Sequence, residues 1–388
     1  MPLPTWLRWG AWGMVLTGVL ERAYIVVTNH EAWLYACDGY VYWHLAGSIA
    51  SGQGVAITNP SVGDGCNFAL PVGPSHHFAP LWAFIQAVFI LLFGATTATW
   101  AAATVALSVA AVFVVYWTTR DLFGGDAAVL VAGIVAHEWS LLLFGTMLGY
   151  AENLVLITFA LTFWAILRGL TDERMLLLAG LFAGLGYLGR ASVGWFFVVA
   201  GLGGLLWRVH FHGWRILKNP WYLGAMAIFG TFLAAWGTRN LIHFWDGDWS
   251  HIIAAAQTSE FHDYALSTAL HQPRLYSMAL FAKLILLGTG LLLPLAPVIP
   301  AIAARAKAWR EEAVSGLLLG AALIFAFALI FSAAFGVVEG RQLFWGHHLR
   351  YVTPALVPLL WIVWSHPGPQ VRGWEWSLTF LIVILGMR

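Results

Sequence analysis

The chain has 388 residues, of which 60% are hydrophobic and only 10% carry a charged side chain. Soluble proteins carry about 25% charged residues, so this composition excludes a soluble globular protein and indicates a polytopic membrane protein. The formal net charge of +1, without a basic run, gives no sign of nucleic-acid binding.

Apolar segments follow one another along almost the whole chain. A helix of about 20 apolar residues crosses the hydrocarbon core of a bilayer, and eleven segments approach that length. They lie at about 9–28, 97–118, 127–145, 152–168, 174–190, 191–207, 221–241, 276–300, 314–335, 351–365 and 375–388. The N-terminus has no basic region and no small-residue cleavage site, so we expect the first segment to be retained. The sequence therefore predicts an all-α, polytopic membrane helical bundle.

A further apolar segment, FAPLWAFIQAVFILLFG at 78–94, has 17 residues and a proline in its first turn. Short cytoplasmic loops are enriched in lysine and arginine. If 78–94 does not cross the membrane, most basic loop residues, such as Arg120 and Arg168, fall on the same side as Arg8. If it crosses, Arg8 is opposed by most of them. We therefore predict eleven transmembrane helices, a juxtamembrane helix at 78–94 and a cytoplasmic N-terminus.

This topology predicts one transmembrane domain over 1–388, with no separate soluble domain. Its long connections, at 29–96, 242–275 and 336–350, lie on the non-cytoplasmic face, and the first contains the juxtamembrane helix. These connections hold most of the histidines and many of the acidic residues. We therefore expect the chemistry of the protein to take place on the non-cytoplasmic face.

Two acidic residues stand at the predicted outer ends of spans. Asp38 follows the first span by about ten residues and precedes a segment with helical spacing. A carboxylate there can act as general base toward a hydroxyl, or cap the helix that begins near Gly39. Glu152 opens a span, where its charge either favours the helix N-terminus or converges with Asp38. These roles remain open on the sequence alone.

Three arginines lie at the same predicted face, against the positive-inside trend. They are Arg190 in LGYLGRASVGW, Arg239 in WGTRNLIHFW and Arg350 in HHLRYVTP. Each arginine can extend its charged end from the membrane to the interface. Three together suggest the capture of an anionic group, and the planar guanidinium fits phosphate geometry.

A metal site is a weaker hypothesis. The stretch HFWDGDWSH holds ligand types for a divalent ion, without a familiar zinc spacing. The candidates are His243, Asp246, Asp248 and His251. Histidines are also common in tryptophan-rich interfacial loops, so the metal stays open.

Two further pairs carry alternatives. Cys37 and Cys66 are the only cysteines, and both fall in the first outer connection. They either form a disulfide in an oxidising compartment or remain two unrelated thiols. Glu21 and Arg22 are adjacent near the outer end of the first span. Ionisable residues at such depth indicate a function, but an ion pair with another span explains them equally well.

Six stretches follow one another along the chain: CDGYVYWHLAGSIASGQG, HHFAPLWAFIQAVFILLFG, YAENLVLITFALTFWAIL, LLLAGLFAGLGYLGRASVGW, WGTRNLIHFW and HLRYVTPAL. In this order they resemble the membrane-embedded C-type (GT-C) glycosyltransferases, in the branch of the protein O-mannosyltransferases and lipid A aminoarabinose transferases. Each motif is short, and the resemblance rests on their order over most of 8–365. The chain departs from many relatives at Gly39, where they have a second acid, and in ending soon after its last span.

The resemblance implies a donor sugar linked to polyprenyl or dolichyl phosphate, and an acceptor that is a protein, a lipid or a glycan. It implies that Asp38 is the catalytic base, that Glu152 is a second site acid, and that Arg190, Arg239 and Arg350 bind the donor phosphate. It also implies a juxtamembrane helix near Pro80. Candidates for the substrate-binding loops are Tyr42, His76, His77, His348 and Tyr351.

The implied reaction needs positive charge at the leaving phosphate, supplied by arginine or by a divalent metal, and otherwise no cofactor. Single displacement inverts the anomeric carbon. The alternative from another class is a transporter or flippase for a lipid-linked or anionic substrate. Transporters tend to place ionisable groups near the membrane midplane and on broken helices, whereas the acids here lie mostly at one surface.

Overall fold

The computed structural model describes residues 3–29, 37–58, 73–74, 78–244, 272–338, 350–365, 371 and 373–385. Within these ranges the fold is built from α-helices, as predicted. They are α1 (Thr5–Thr28), α2 (Cys37–Ala50), α3 (Pro80–Phe93), α4 (Thr97–Phe123), α5 (Gly125–Ala136), α6 (Glu152–Arg168), α7 (Met175–Gly189), α8 (Ala191–His212), α9 (Pro220–Phe244), α10 (Pro273–Leu295), α11 (Ile299–Ala306), α12 (Glu312–Val338), α13 (Leu356–Ser365) and α14 (Gly373–Leu385).

Shorter elements join these helices. A π-helix covers Leu141–Met147, and 3-10 helices cover Trp214–Lys218, Ala296–Val298 and Thr353–Ala355. Two strands of two residues each, β1 (Ala56–Ile57) and β2 (Gly73–Pro74), pair antiparallel after α2. They are a small addition to an otherwise helical fold.

Local sequence fixes several helix ends. Pro80 stands in the first turn of α3, where a backbone N–H would have no acceptor within the helix, so the proline costs no helical hydrogen bond. Gly94 and Gly124 follow α3 and α4 with φ of 83° and 91°, a conformation that a residue with a Cβ rarely adopts. Thr96 caps α4, because its Oγ1 accepts a hydrogen bond from the backbone N–H of Thr99 at 3.1 Å.

The chain is a multi-pass membrane protein. Among the described residues, four helical stretches are long and apolar enough to cross a membrane: Thr5–Thr28, Thr97–Phe123, Pro273–Ala306 and Glu312–Ala333. A fifth, Gly125–Ala136 with Leu141–Met147, is a helix pair bent by 71°. Each of the eleven predicted segments overlaps at least one helix, and 127–145 covers both α5 and the π-helix. How many of these segments cross the membrane remains a prediction.

Helix α3 corresponds to the segment predicted to lie along the membrane surface. It has 14 residues, so at 1.5 Å per residue it is about 21 Å long. This is shorter than the hydrocarbon core of about 30 Å. The length agrees with a juxtamembrane helix, and its orientation remains a prediction.

The core lies around α5, which is buried along its whole length from Ala127 to Ala136. Small residues bring helices close to one another there and in α7. A Cβ at Gly18 of α1 would lie 2.5 Å from the Cβ of Ala136. Gly180 of α7 faces the backbone carbonyl of Ala225 in α9 so closely that a Cβ would collide with it. Backbone approach of this kind is typical of membrane helix packing.

Charged residues collect at both ends of the bundle. At one end Arg168 of α6 pairs with Asp121 of α4 at 2.6 Å, and Arg8 pairs with Asp126 at 2.9 Å. Because α6 begins at Glu152, that carboxylate lies at the opposite end. The connection between α7 and α8 and the start of α2 lie at the Glu152 end, and they form the site described below.

Candidate active site

Four charged side chains from separate parts of the chain meet at this end of the bundle. Asp38 is in the first turn of α2 and Glu152 in the first turn of α6. Arg190 lies between α7 and α8 and is both the C-cap residue of α7 and the N-cap residue of α8. Arg350 directly precedes the segment that leads into α13. Helix ends thus hold each group in place.

Both arginines contact both carboxylates. Arg190 forms a close ion pair with Glu152 through Nη1 and Oε1, and its Nη2 lies 3.8 Å from Oδ2 of Asp38. Arg350 Nη1 lies 3.6 Å from Glu152 Oε1 and 3.8 Å from Asp38 Oδ2. We call these four residues the charged cluster. Its formal charge is zero.

Aromatic side chains enclose the arginines. The hydroxyl oxygen of Tyr351 accepts a hydrogen bond from Arg190 Nη2 at 3.2 Å and one from Arg350 Nη2 at 3.0 Å. The Arg350 guanidinium lies 5.0 Å from the ring centroids of Phe144, Tyr150 and Tyr351. Cation–π contacts at this distance stabilise a guanidinium and fix its plane.

Burial differs within the charged cluster. The Glu152 side chain is 3% exposed, Arg350 9% and Arg190 11%, whereas Asp38 is 26% exposed. Burial lowers the pKa of Arg350, but Tyr351, Glu152 and Asp38 raise it above the usual arginine value on balance. Arginine stays protonated in proteins, so both arginines are cations.

A cavity of about 20 Å³ opens on the charged cluster. It is lined by Glu152, Arg190, Arg350 and Tyr351 and, among others, by Phe159, Phe196 and Phe327. Glu152 Oε2 and Arg350 Nε are buried and have no hydrogen-bond partner within the described ranges. The volume is enough for one water molecule. Two residues that line the cavity thus each keep one polar atom without a partner among the described residues.

A larger apolar cavity of about 150 Å³ lies beside the small one. It runs between α6, α7, α8, α9 and α12, and Phe159 and Phe196 line both cavities. Trp207 and Arg208 line it near the other end of α8. A charged site and a space suited to a hydrocarbon chain are therefore neighbours.

The other predicted site residues lie beside the charged cluster, apart from it or outside the described ranges. Tyr42, one turn after Asp38 in α2, lies close enough to Arg190 to act on its charge, and its ring packs on that of Phe78 with the centroids 5.3 Å apart. Arg239 lies apart: it donates to the carbonyl of Val55 at 2.9 Å, which ties the end of α9 to the segment after α2. Cys66, His76, His77, Asp246, Asp248, His251, His348 and the side chain of Cys37 lie outside the described residues.

His243 is in the last turn of α9. In the part of the chain that the structure describes, no group of three or more His, Cys, Asp or Glu side chains converges. The other three metal candidates, Asp246, Asp248 and His251, lie outside the described residues, as do Cys66 and the side chain of Cys37 that would form the disulfide.

Sequence reasoning missed three residues beside the site. Phe144 and Tyr150 pack on Arg350, and an aromatic residue in a tryptophan-rich membrane protein gives no specific signal. Glu138 is buried in the bend between α5 and the π-helix. The sequence did contain an indication for Glu138: an ionisable residue inside an apolar run, here VAHEWSLLLFG, suggests a functional role by default.

Comparison with known proteins finds one matching family profile. A family profile described as dolichyl-phosphate-mannose-protein mannosyltransferase matches residues 76–236. This range includes Glu152 and Arg190 but neither Asp38 nor Arg350. The comparison with curated protein sequences gives no match.

Solved structures share the fold. ArnT from Cupriavidus metallidurans, bound to undecaprenyl phosphate, superposes with a TM-score of 0.60 at 16% identity, over 92% of this chain and 61% of ArnT. The apo oligosaccharyltransferase of Archaeoglobus fulgidus gives a TM-score of 0.54 at 14% identity, over 97% of this chain and 55% of that enzyme. The predicted GT-C-like fold is confirmed, and the chain spans less than two thirds of these relatives.

Proposed function

We propose that this protein is an integral-membrane glycosyltransferase that moves a sugar from a polyprenyl- or dolichyl-phosphate donor to an acceptor hydroxyl. The observation that carries the proposal is the meeting of two carboxylates and two arginines beside an apolar cavity. The matching family profile and the relative solved with undecaprenyl phosphate support the same donor class.

The donor has two parts, and the site has a place for each. Arg190 and Arg350 present guanidinium groups that bind phosphate oxygens in a forked geometry. The neighbouring apolar cavity, which shares the lining residues Phe159 and Phe196 with the small cavity, suits a polyprenyl chain. An anion attached to a long hydrocarbon chain satisfies both features at once.

The two carboxylates take different roles in this proposal. Glu152 is almost fully buried and holds Arg190 in a close ion pair, so it orients the phosphate-binding group. Asp38 is more exposed, and its contacts with the arginines are 3.8 Å long. A base needs access to the acceptor and freedom to take a proton. We therefore assign the base to Asp38.

The reaction balances charge within the site. The acceptor hydroxyl attacks the anomeric carbon and gives its proton to Asp38, while the bond from that carbon to the phosphate oxygen breaks with its electron pair on oxygen. The phosphodiester of the donor carries one negative charge, and the released polyprenyl phosphate carries two. Asp38 loses one negative charge in the same step, so the sum is unchanged. Arg190 and Arg350 stabilise the charge that develops on the phosphate.

The setting of this reaction is part of the proposal. We infer that the N-terminus is cytoplasmic, that the charged cluster lies at the non-cytoplasmic face and that one membrane domain with about eleven spans carries the activity. The partners are the lipid bilayer, the lipid-linked donor and an acceptor protein, lipid or glycan. Displacement in one step inverts the anomeric carbon.

The test uses purified protein reconstituted into vesicles that also contain total membrane lipid and protein as the source of acceptors. It measures the transfer of radiolabelled mannose from polyprenyl-phosphate mannose to these acceptors. Wild type should move label out of the lipid-phosphate fraction, and Asp38→Asn should lower kcat by about 10²–10⁴, the usual contribution of a general base. Equal rates for both proteins would remove Asp38 as base. Label that crosses the vesicle membrane while still attached to the polyprenyl phosphate would favour the flippase alternative.

A further inference from the structure

We propose that Glu138 and Arg22, two buried residues of opposite charge inside the helical bundle, are positioning residues for the charged cluster. Arg22 fixes the side of the cluster that carries Glu152, and Glu138 fixes the side that carries Arg350. The proposal rests on the proposed function in one respect, because it takes the charged cluster to be a phosphate-binding site.

Arg22 of α1 is fully buried. Its guanidinium donates hydrogen bonds to Ser108 Oγ (2.6 Å), Thr146 Oγ1 (3.2 Å), Asn153 Oδ1 (3.4 Å) and the carbonyl of Val135 (2.9 Å). Asn153 directly follows Glu152, and its amide Nδ2 also donates to Thr146 Oγ1 at 3.4 Å. The first turn of α6, which presents Glu152, is thereby tied to α1 and α4.

Glu138 lies in the bend between α5 and the π-helix, where three donors reach its carboxylate. Its Oε2 accepts from Ser140 Oγ at 2.7 Å and from the backbone N–H of Leu141 at 2.8 Å. Its Oε1 accepts from Thr353 Oγ1 at 3.3 Å, and Thr353 Oγ1 lies 2.5 Å from Ser140 Oγ. This carboxylate joins two elements that are far apart in sequence.

Both of those elements reach Arg350. Thr353 stands three residues after it, in the short segment that also carries Tyr351. The π-helix that begins at Leu141 presents Phe144, whose ring lies under the Arg350 guanidinium. Glu138 therefore sets both the backbone that carries Arg350 and the aromatic surface on which its guanidinium rests. A misplacement of about 1 Å in such a constellation lowers rates by about a hundredfold.

The charges also require one another. A guanidinium buried in a membrane span needs a counter-charge, and Glu138 and Glu21 are the carboxylates whose charge acts on Arg22. Glu21 is already paired with His137, at 2.9 Å between Oε2 and Nδ1. The other ring nitrogen of His137 lies 3.0 Å from the carbonyl of Met14. Glu138 and Glu21 together supply the negative charge that acts on Arg22.

The experiment measures binding of undecaprenyl phosphate to protein in lipid nanodiscs, which requires no transfer, and then kcat and KM of transfer. Glu138→Gln and Thr353→Val should each weaken binding about tenfold and lower kcat further, because Arg350 is displaced. Thr353→Ser keeps the hydroxyl and should stay within about twofold of wild type. Thr118→Val is the matched control, because it removes a buried hydroxyl that, among the described residues, donates to carbonyls of its own helix.

Folded Glu138→Gln and Thr353→Val proteins that bind undecaprenyl phosphate as wild type does would overturn the positioning role. If wild type itself binds no undecaprenyl phosphate, the proposed function fails instead. Amide hydrogen exchange of 141–147 and 350–355 then decides the inference without any lipid. Faster exchange in both segments of Thr353→Val, but not of Thr118→Val, supports it, and unchanged exchange overturns it.

Discussion

Each arginine of the charged cluster is a cation that is already paired with carboxylates in the structure without a donor. Arg190 and Arg350 share Glu152 and Asp38, so a phosphate must compete with these carboxylates for the same N–H groups. Under the proposed function, the cluster is an exchange site in which the donor phosphate takes over some contacts of a carboxylate. Replacing each side chain should then have its own effect on stability and on phosphate binding.

Replacing Glu152 by Gln should lower the thermal unfolding temperature of the free protein, because Arg190 loses the partner of a buried ion pair. Removing one member of such a pair costs about 3–5 kcal/mol. Undecaprenyl phosphate should restore much of this loss, since its phosphate supplies the missing negative charge. The measurement is the unfolding temperature with and without the lipid.

The matched control is Glu312→Gln, which breaks the ion pair with Arg208 at the other end of the bundle. It should lose stability without recovery by the lipid. Equal recovery of both variants would mean that undecaprenyl phosphate does not bind at Arg190.

Tyr351 is the second residue with a separable role. Tyr351→Phe removes the oxygen that accepts from both arginines and keeps the ring that packs on them. A hydrogen bond to a charged group contributes about 1.5–3 kcal/mol, so phosphate binding should weaken at least about tenfold. Titration with undecaprenyl phosphate measures this change.

Tyr150→Phe serves as the control for that titration. Its ring has the same distance of 5.0 Å to the Arg350 guanidinium, and within the described ranges its hydroxyl makes no hydrogen bond to another side chain. It should bind nearly as wild type does. A loss as large as that of Tyr351→Phe would assign the effect to the aromatic enclosure rather than to the shared hydroxyl.

Helices and their junctions set the limits of what the sequence can predict. Apolar length located the predicted spans on helical segments, and the order of short motifs indicated the fold, because both depend on local composition. The segment 127–145, predicted as one span, contains a helix pair bent by 71°, a bend that the sequence did not predict. The bend follows from Glu138, which accepts the backbone N–H of Leu141 and so starts a new helix.

The site was partly predictable for the same reason. Asp38, Glu152, Arg190 and Arg350 each stood out as ionisable residues at the end of a span, and each lies in the charged cluster. Arg239 stood out equally and binds the carbonyl of Val55 instead. A position along a span gives the depth of a residue in the membrane but not its direction around the helix axis. Direction depends on packing between helices, which no single stretch of sequence contains.

Packing of α7 on α9 should respond to a single methyl group. Gly180→Ala places a Cβ against the carbonyl of Ala225 and should destabilise the protein by about 1–3 kcal/mol through overpacking. Gly230→Ala, in α9 with no atom within 4 Å of its new Cβ, should be neutral or stabilising by up to about 1 kcal/mol. Thermal unfolding in detergent measures both, and equal midpoints would contradict the close contact.

At the scale of the whole molecule, the apolar cavity between five helices is the feature that suits a lipid chain. Ala183 lines this cavity and lies outside the charged cluster. Ala183→Phe should fill the cavity and weaken the binding of undecaprenyl phosphate about tenfold or more, because apolar contact is lost at about 25 cal/mol per Å². Geranyl phosphate, whose chain is much shorter, should bind with nearly unchanged affinity. Equal losses for both lipids would place the chain elsewhere.

All groups of the charged cluster lie at one end of the helices, and this has an electrical consequence. In the proposed reaction, the attacking hydroxyl, the proton, the leaving phosphate and the arginines that bind it stay at one depth, so no charge would move through the membrane field. Moving one charge across a membrane involves about 2.3 kcal/mol per 100 mV, and a flippase of an anionic lipid would feel this field. Sugar transfer by this protein should therefore proceed at the same rate in energised vesicles and in vesicles whose potential has been dissipated with an ionophore.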